Sequence, residues 1–480
     1  MRRDRRKSRE PQWLKIAHGL LTHGERGLSQ EAFWPLAVSR TGDEAPSKNS
    51  GSDAVDSLAA AGRFLAKRPL RFGPGMGLVV GVALGTESLR ASLVDANGRI
   101  LEDGANVRYT SEAPPDPDQL ELPPDLLLDR LADVVRELLA RAVEDPALTI
   151  DGALPLLGVA VAWPTPLHAL SKKPMGQALQ HEAWRAGDGG VRELVATRLG
   201  MPVARSHAIN DANAMALVEA FDDSRNPDRF EHERRGGTIL VLRLAGGISA
   251  GTVVTPVSTG PLTRSPFLEA RLLEGTNGLA GELGHFHVEQ SDVDDVTADP
   301  PAGLSEIIAG QCSCGRAGCL ESLAGGNAFV ERMRVSSIGG NGTQNGSRMT
   351  VTSVMNETLR DADDTRRKRA LEDIGGLLGR VLAGPILMLN PQSITLAGAL
   401  AVEPVREGVL LEKNRWRHVH DSDVDVRLVG GEDGRYLATR GAAITVFRGQ
   451  VYRRFEDMAT CPAMTWNLTI PFGPAEIAKL

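Results

Sequence analysis

Apolar positions along the first seventy residues recur at helical spacing. Trp13, Leu14, Ile16, Ala17, Leu20 and Leu21 give one stripe, and Ala32, Phe33 and Leu36 a second, interrupted by Pro35. Residues 53–65 give a third, with Asp53 placed as its cap. The polar stretch 41–53 between the second and third reads as a loop. From Leu78 the period changes. "LVVGVALGTESLRASLVDANGRILED" predicts a strand, a Gly turn, a second strand and a turn at Asn97-Gly98. "LPPDLLLDRLADVVRELLARAVED" predicts an amphipathic helix, "LLGVAVAW" a buried strand, and "VRELVATRLG" a helix closed by Gly200. "INDANAMALVEAFDD" passes from loop into helix, and "GTILVLRL" and "SAGTVVTP" are strands flanking "AGGI". A long helix, Asn390-Pro391, a strand and a Gly turn follow, and "YLATRGAAITVFRG" is a closing helix. Strand pairs alternating with helices, twice over, predict two α/β lobes.

Length and charge divide this pattern into parts. At 480 residues the chain has room for two or three domains. The net charge is −7, yet residues 1–72 carry 14 Lys/Arg against 8 Asp/Glu, leaving about −13 on the remainder. A basic end on an acidic body points to nucleic-acid contact by that end, or to a solubilising arm. Three short helices with a basic flank suit a helix-turn-helix, with a generic three-helix bundle as the alternative. The loop at 41–53 is longer than that motif's tight turn. The chain shows no apolar run long enough to span a bilayer, and no apolar segment follows the charged "MRRDRRKSREPQ", so a cytoplasmic protein is expected.

Three of the four cysteines fall within eight residues, in "CSCGRAGCLES". Cys312, Cys314 and Cys319 are spaced C-x-C-x4-C on a glycine-containing loop, where thiolates can converge on one ion. A fourth ligand stands upstream in "GELGHFHV": His285, with His287 as its rival. Buried free thiols or a redox pair are the bland readings; zinc is the expected metal.

"GLAGELGHFHV" followed by "CSCGRAGCLESLAG" resembles the signature of the ROK family (repressor, ORF, kinase). "NDANAMALVEA", "LNPQSITLAGAL" and the strand-turn-strand from Leu78 agree with it over roughly residues 78–450. The resemblance implies a two-lobed, actin/hexokinase-like (ribonuclease H-like) α/β fold with a sugar in the cleft and structural zinc on one wall. It implies sugar contacts from Asn210, Asp211, Glu282, His285 and Glu321, and metal ligation by His285, Cys312, Cys314 and Cys319. In a kinase of the family Asp211 would be the general base, taking a proton from the attacking hydroxyl while ATP-Mg supplies phosphate. For "NDAN" alone a helix cap is the plain alternative. The family's Asn before Gly-Trp has its nearest match in "LQHEAWRAG" (179–187).

The phosphate loops depart from the family. "ALGTE" replaces Asp-x-Gly-Gly-Thr: Ala83 stands in the Asp position, Gly85 is kept, Thr86 replaces a glycine, and Glu87 brings negative charge. "AGGISAG" keeps Gly246, Gly247 and Gly251 but carries Ala245 and Ser249 at glycine positions. Side chains at such positions hinder phosphate approach. Intact sugar and zinc residues beside damaged phosphate loops predict a sugar-responsive transcriptional regulator. The expected organisation is a winged helix-turn-helix over 1–72, the sugar-binding lobes over 73–450, and an extension over 451–480. Arg63, Lys67, Arg68 and Arg71 would meet operator phosphates, in a homodimer or homotetramer. The rival expectations are an ATP-dependent sugar kinase and a sugar-binding protein with neither activity. The stretch 254–277 is longer than the family's connection and is expected as a rim over the cleft.

Overall fold

A computed structural model describes residues 76–86, 88–114, 116, 119–175, 184, 189–223, 235–258, 266–296, 312–335, 351–356, 361–415, 424–452 and 470–477. The expected DNA-binding segment with Arg63, Lys67, Arg68 and Arg71, together with Glu87 and Cys461, lies outside the described residues.

The chain builds the same five-stranded unit twice. In the first unit β1 (Leu78–Leu84), β2 (Leu89–Asp95) and β3 (Thr110–Glu112) form an antiparallel meander. β4 (Leu154–Trp163) and β5 (Ser206–Asn210) then extend it in parallel on the far side of β1. In the second, β6 (Arg235–Leu244), β7 (Ile248–Ser258) and β8 (Arg271–Leu272) form the meander, and β9 (Ser393–Ala397) and β10 (Asp425–Val429) run parallel beyond β6. All ten residues of β4 are buried, as a parallel central strand covered on both faces requires.

Helices fill the space between and outside the sheets. α1 (Pro124–Ala142) and α2 (Val191–Arg198) cover the outer face of the first sheet. Leu127, Leu131, Val135 and Leu138 of α1 lie one helical turn apart and share a core with Val80, Val82 and Leu93. Between the sheets run α3 (Asp211–Asp223) and, from the other end of the chain, α8 (Leu437–Val446). Their apolar residues form one core with Val79, Ala160, Val241 and Val253 from both sheets. The outer face of the second sheet carries α4 (Leu320–Ala324), α5 (Gly326–Val335), α6 (Asp361–Leu389) and α7 (Glu403–Arg415). The long helix α6 carries Pro385 inside it.

Two segments outside the motifs join the fold. The described parts of stretch 254–277 begin in the second sheet and end against the loop after β4, where Lys172 meets Glu274. β7 continues to Ser258, and Arg271–Leu272 return to pair with Val254 and Val253. Phe267 is buried edge-on against Phe221 of α3, and Arg448 donates to the Leu268 and Ala270 carbonyls. Apolar Phe267 and Leu268 thus anchor the segment to the core. The C-terminal stretch also joins the fold: β11 (Ile470–Phe472) pairs antiparallel with the start of β4, and Ile477 is buried in the core under α1.

Candidate functional site

The site forms where α3 begins. β5 ends at Asn210 and the helix starts at Asp211, so both side chains sit at the floor between the two sheets. Asn210 caps the helix: its Oδ1 accepts from the Asn213 N–H at 3.2 Å, and its Nδ2 donates to the Thr165 carbonyl at 3.2 Å. The capping reading of "NDAN" is therefore realised, whatever else Asn210 does. Asp211 is 1% exposed, and burial raises its carboxyl pKa. Arg243 opposes that shift: its Nε lies 2.8 Å from Asp211 Oδ2.

Arg243 was not singled out by sequence reasoning. Its signal is a lone guanidinium in the apolar run "GTILVLRL". Such a residue needs a buried partner, and its partner lies too far along the chain for any motif to reveal it.

The opposite wall is tied by cysteines. Residues 286–288 run antiparallel beside 318–320: Val288 donates to the Gly318 carbonyl at 2.8 Å, and Leu320 to that of Phe286 at 2.9 Å. This pairing brings His285 over the cysteine loop. Within the loop Cys312 donates to the Arg316 carbonyl and Gly315 to that of Cys312, each at 2.8 Å. Gly315 and Gly318 take φ of 86° and 73°, left-handed values that suit glycine alone among common residues.

The ligand atoms of His285, Cys312, Cys314 and Cys319 all lie within 4.8 Å of one another. Cys314 and Cys319 sulfurs are 3.5 Å apart, and His285 Nδ1 is 3.4 Å from the Cys312 sulfur. A tetrahedral ion with metal–sulfur bonds of about 2.3 Å has edges of about 3.8 Å, so this donor set fits one. Burial, and then the neighbouring thiols, push Cys319 up to about 12, a proton that a bound cation would displace. His287 is not among the four. Its backbone bridges Cys319, and its ring packs where a side chain on Gly318 would stand.

From this wall His285 turns its other nitrogen into the cleft: Nε2 lies 3.7 Å from Glu282 Oε2. Burial, then the charges of Glu321 and Asp211, push Glu282 up to about 7. Glu321 sits at the start of α4 and accepts the Ile248 N–H at 2.9 Å. Asp211, Glu282, His285 and Glu321 thus gather in one neighbourhood with Asn210 at its edge. Of the segment 179–187 only Trp184 is described; it stacks edge-on against Trp163, with ring centroids 5.3 Å apart.

The two glycine loops face each other beside this cluster. In the first, which follows Ala83 at the end of β1, Gly85 donates to the Ser88 carbonyl at 2.7 Å. The buried Gln119 amide braces it through the Gly85 and Ser88 carbonyls. Thr86 reaches across to the second loop, where a methyl on Gly246 would stand 2.9 Å from its Oγ1. A side chain on Gly247 would overlap Glu321, and one on Gly251 the Ala212 carbonyl. Packing alone therefore accounts for glycine at these two positions.

A doubled meander-plus-parallel sheet, with helices between and a cleft at their ends, defines the two-lobed actin/hexokinase-like class. Within it the ROK family model matches residues 79–446, and the chain belongs to the ROK family. The DNA-binding transcriptional dual regulator NagC of Escherichia coli K12 is 33% identical over 133 residues, covering 27% of this chain and 28% of that protein. The match therefore spans less than a third of the curated relative. Two solved structures share the fold. A ROK family transcriptional regulator, described as a homolog of the E. coli MLC protein, superposes with a TM-score of 0.54 at 15% identity, over 93% of this chain and all of that one. A ROK family glucokinase from Streptomyces griseus, in complex with glucose and AMPPNP, gives 0.52 at 19%, over 77% and 99%.

Proposed function

We propose that the protein is a sugar-responsive transcriptional regulator of the repressor type. A sugar or sugar derivative binds between the lobes, and residues 1–72 bind DNA. The observation that carries this reading is the Asp211–Arg243 ion pair. A general base must offer a free carboxylate to the attacking hydroxyl. Here the carboxylate is buried and held by a guanidinium, while Thr86 reaches the second loop beside it. Each feature disfavours phosphoryl transfer, and together with Ala83 at the family's Asp position they favour a sensor.

In this reading Asn210, Asp211, Glu282, His285 and Glu321 hold the sugar hydroxyls by charge-assisted hydrogen bonds. Zinc, bound by His285, Cys312, Cys314 and Cys319, would supply rigidity and no chemistry. It would fix the His285 ring so that Nε2 faces the ligand beside Glu282. Ligand closes the cleft, and the shift in lobe angle changes the spacing of the DNA-binding ends in a homodimer or homotetramer. Arg63, Lys67, Arg68 and Arg71 contact operator phosphates. No described helix is long and apolar enough to cross a membrane, in keeping with a cytoplasmic site of action.

The second reading is an ATP-Mg-dependent sugar kinase with Asp211 as base; it draws on the position of Asp211 at the cleft floor. The test is a kinase assay on zinc-loaded protein across hexoses and amino sugars, with Asp211→Asn as control and sugar binding measured in parallel. Saturable binding without turnover supports the sensor. Turnover that Asp211→Asn abolishes overturns it.

A further inference from the structure

We propose that the loop after β4 and the turn after β8 form a latch across the mouth of the cleft, with Lys172 and Glu274 as its clasp. This goes beyond the sensor reading, since the contact belongs to the fold and holds whichever ligand the cleft takes.

The latch has one half on each lobe. The first half is a hairpin. Leu167 and Pro174 face each other as an antiparallel bridge, and Met175 donates to the Pro166 carbonyl at 2.8 Å. His168 donates to the Lys173 carbonyl at 3.0 Å and Lys172 to that of His168 at 2.9 Å, which closes the tip. Lys172 takes a φ of 52°, a left-handed value uncommon outside glycine. Its carbonyl is held by the Val191 N–H at the start of α2, at 3.1 Å, so its backbone is fixed by its own lobe. The second half is a tight turn. The Glu274 carbonyl accepts from the Ala280 N–H at 3.2 Å, and Gly275 and Gly278 take φ of 70° and 79°. Leu273 donates to the Thr252 carbonyl at 2.9 Å, which ties the turn to β7 of the second sheet.

The halves meet at two points. Lys172 Nζ lies 3.3 Å from Glu274 Oε1, with the side chains 20% and 30% exposed. Four residues on from Glu274, Gly278 lies so close to the hairpin that a methyl there would stand 2.0 Å from the Leu167 carbonyl oxygen. Leu167 is buried in the core of the first lobe. A long lysine side chain can find a carboxylate without fixing anything else. The glycine contact shows that the two backbones are themselves seated on each other.

Both halves are rooted beside cleft residues. At the base of the hairpin the Thr165 carbonyl accepts from Asn210 Nδ2. At the end of the turn the Gly281 carbonyl accepts from the Ala250 N–H at 2.7 Å, and Glu282 follows directly. The lobes are joined on the β3 side of the first sheet as well, where Arg108 pairs with Asp433 at 3.0 Å and Glu112 with Arg435. Asp433 and Arg435 lead straight into α8, so those pairs sit by a helix that both lobes share. The latch stands instead on the β4 side, next to Asn210 and Glu282, where separation of the lobes would open the cleft. An ion pair this exposed shifts an equilibrium by about two- to fivefold. That suits a clasp that must release as well as hold.

Hydrogen exchange read by mass spectrometry on the full zinc-loaded, ligand-free chain tests the latch from both sides. Lys172→Ala should speed exchange across 273–281 by about two- to fivefold, and Glu274→Ala should do the same across 165–175, because coupling between the halves is reciprocal. Combining Lys172→Glu with Glu274→Lys should restore both. Gly278→Ala should speed both segments further, since its methyl meets backbone. Amides of β1 are the reference and should not change. Effects confined to the substituted residue's own lobe would overturn the latch, and so would a charge exchange that fails to restore protection. Glucose and N-acetylglucosamine, used as probes in stopped flow, should leave Lys172→Ala about two- to fivefold faster than wild type. A probe that binds and dissociates at an unchanged rate would overturn the latch's hold on the cleft. Binding of neither probe would count against the sensor reading and leave the exchange result to decide the latch by itself.

Discussion

His207 stands on β5, three residues before Asn210, so its state bears on the cleft floor. Burial, then the charges of Arg192 and Arg205, lower its pKa to about 4. Its Nε2 lies 3.0 Å from Gln450 Nε2, a contact that needs a bare ring nitrogen to accept from the amide. The folded chain therefore keeps His207 neutral where an unfolded chain would protonate it. The resulting stability is fully present above pH 6.5 and is lost as pH falls through 4. The full shift is worth about 3 kcal/mol. Urea midpoints measured from pH 7.5 to 4.5 should fall more steeply for wild type than for His207→Gln; parallel curves would refute the assignment. Gly251 makes a second case at this scale. Its sequence context reads as a phosphate-loop glycine, but the structure gives it a packing role against the first turn of α3. Gly251→Ala should cost about 1–3 kcal/mol in denaturant and weaken ligand binding by displacing Asp211. A variant as stable as wild type would show that the turn yields freely. Motifs made the residue types at the cleft legible. They could not show Arg243, because a buried ion pair between β6 and α3 exists only once both sheets are assembled.

At the scale of elements, the cysteine loop and residues 282–288 form one unit whose halves meet through a short antiparallel pairing. The C-x-C-x4-C spacing was readable because three donors lie on one local turn. The choice between His285 and His287 was not, since residues two apart on an extended segment share a face; here His285 ends a one-turn helix, Leu283–His285, while His287 lies in the bridge to Cys319. Metal analysis should find about one zinc per chain, and Cys314→Ser should lose it. Because the ion's binding energy is also folding energy, Tm should fall by roughly 5 °C or more. Sugar affinity should fall with it, since His285 Nε2 and Glu282 are held by the same unit. Cys461→Ser, outside the motif, should do neither. Full metal content in Cys314→Ser would exclude it as a ligand. The strand-helix alternation was legible along most of the lobes for a simpler reason: β4 and α1 announce themselves by unbroken and helical apolar periods. The fate of 254–277 was not, because a strand that outruns its motif has no boundary signal of its own.

At the scale of the molecule the question is how the lobes communicate with the basic end. The lobes share a core through α3 and α8, so the cleft closure proposed above would move both sheets about those helices. The C-terminal strand β11 pairs with β4 and Ile477 packs under α1. Removing 451–480 should therefore destabilise the first lobe rather than trim an appendage, visible as a lower Tm without ligand. The N-terminal charge gives the last prediction. Residues 1–72 carry a net +6 on a body of −13, so non-specific repulsion from DNA must be overcome locally. If Arg63, Lys67, Arg68 and Arg71 each neutralise one phosphate, log K against log salt should have a slope of about −4 per protomer. Each single change to Gln should make the slope shallower by about one unit and weaken binding across all sequences, since phosphate contacts position without specifying. Deleting 1–72 should abolish the affinity while sugar binding persists. Fluorescence anisotropy on a mixed-sequence duplex between 50 and 200 mM salt reads all three. Affinity that ignores salt, or that survives the deletion, would mean the lobes themselves bind the DNA. No measurable affinity would leave the sugar site intact and remove the regulator.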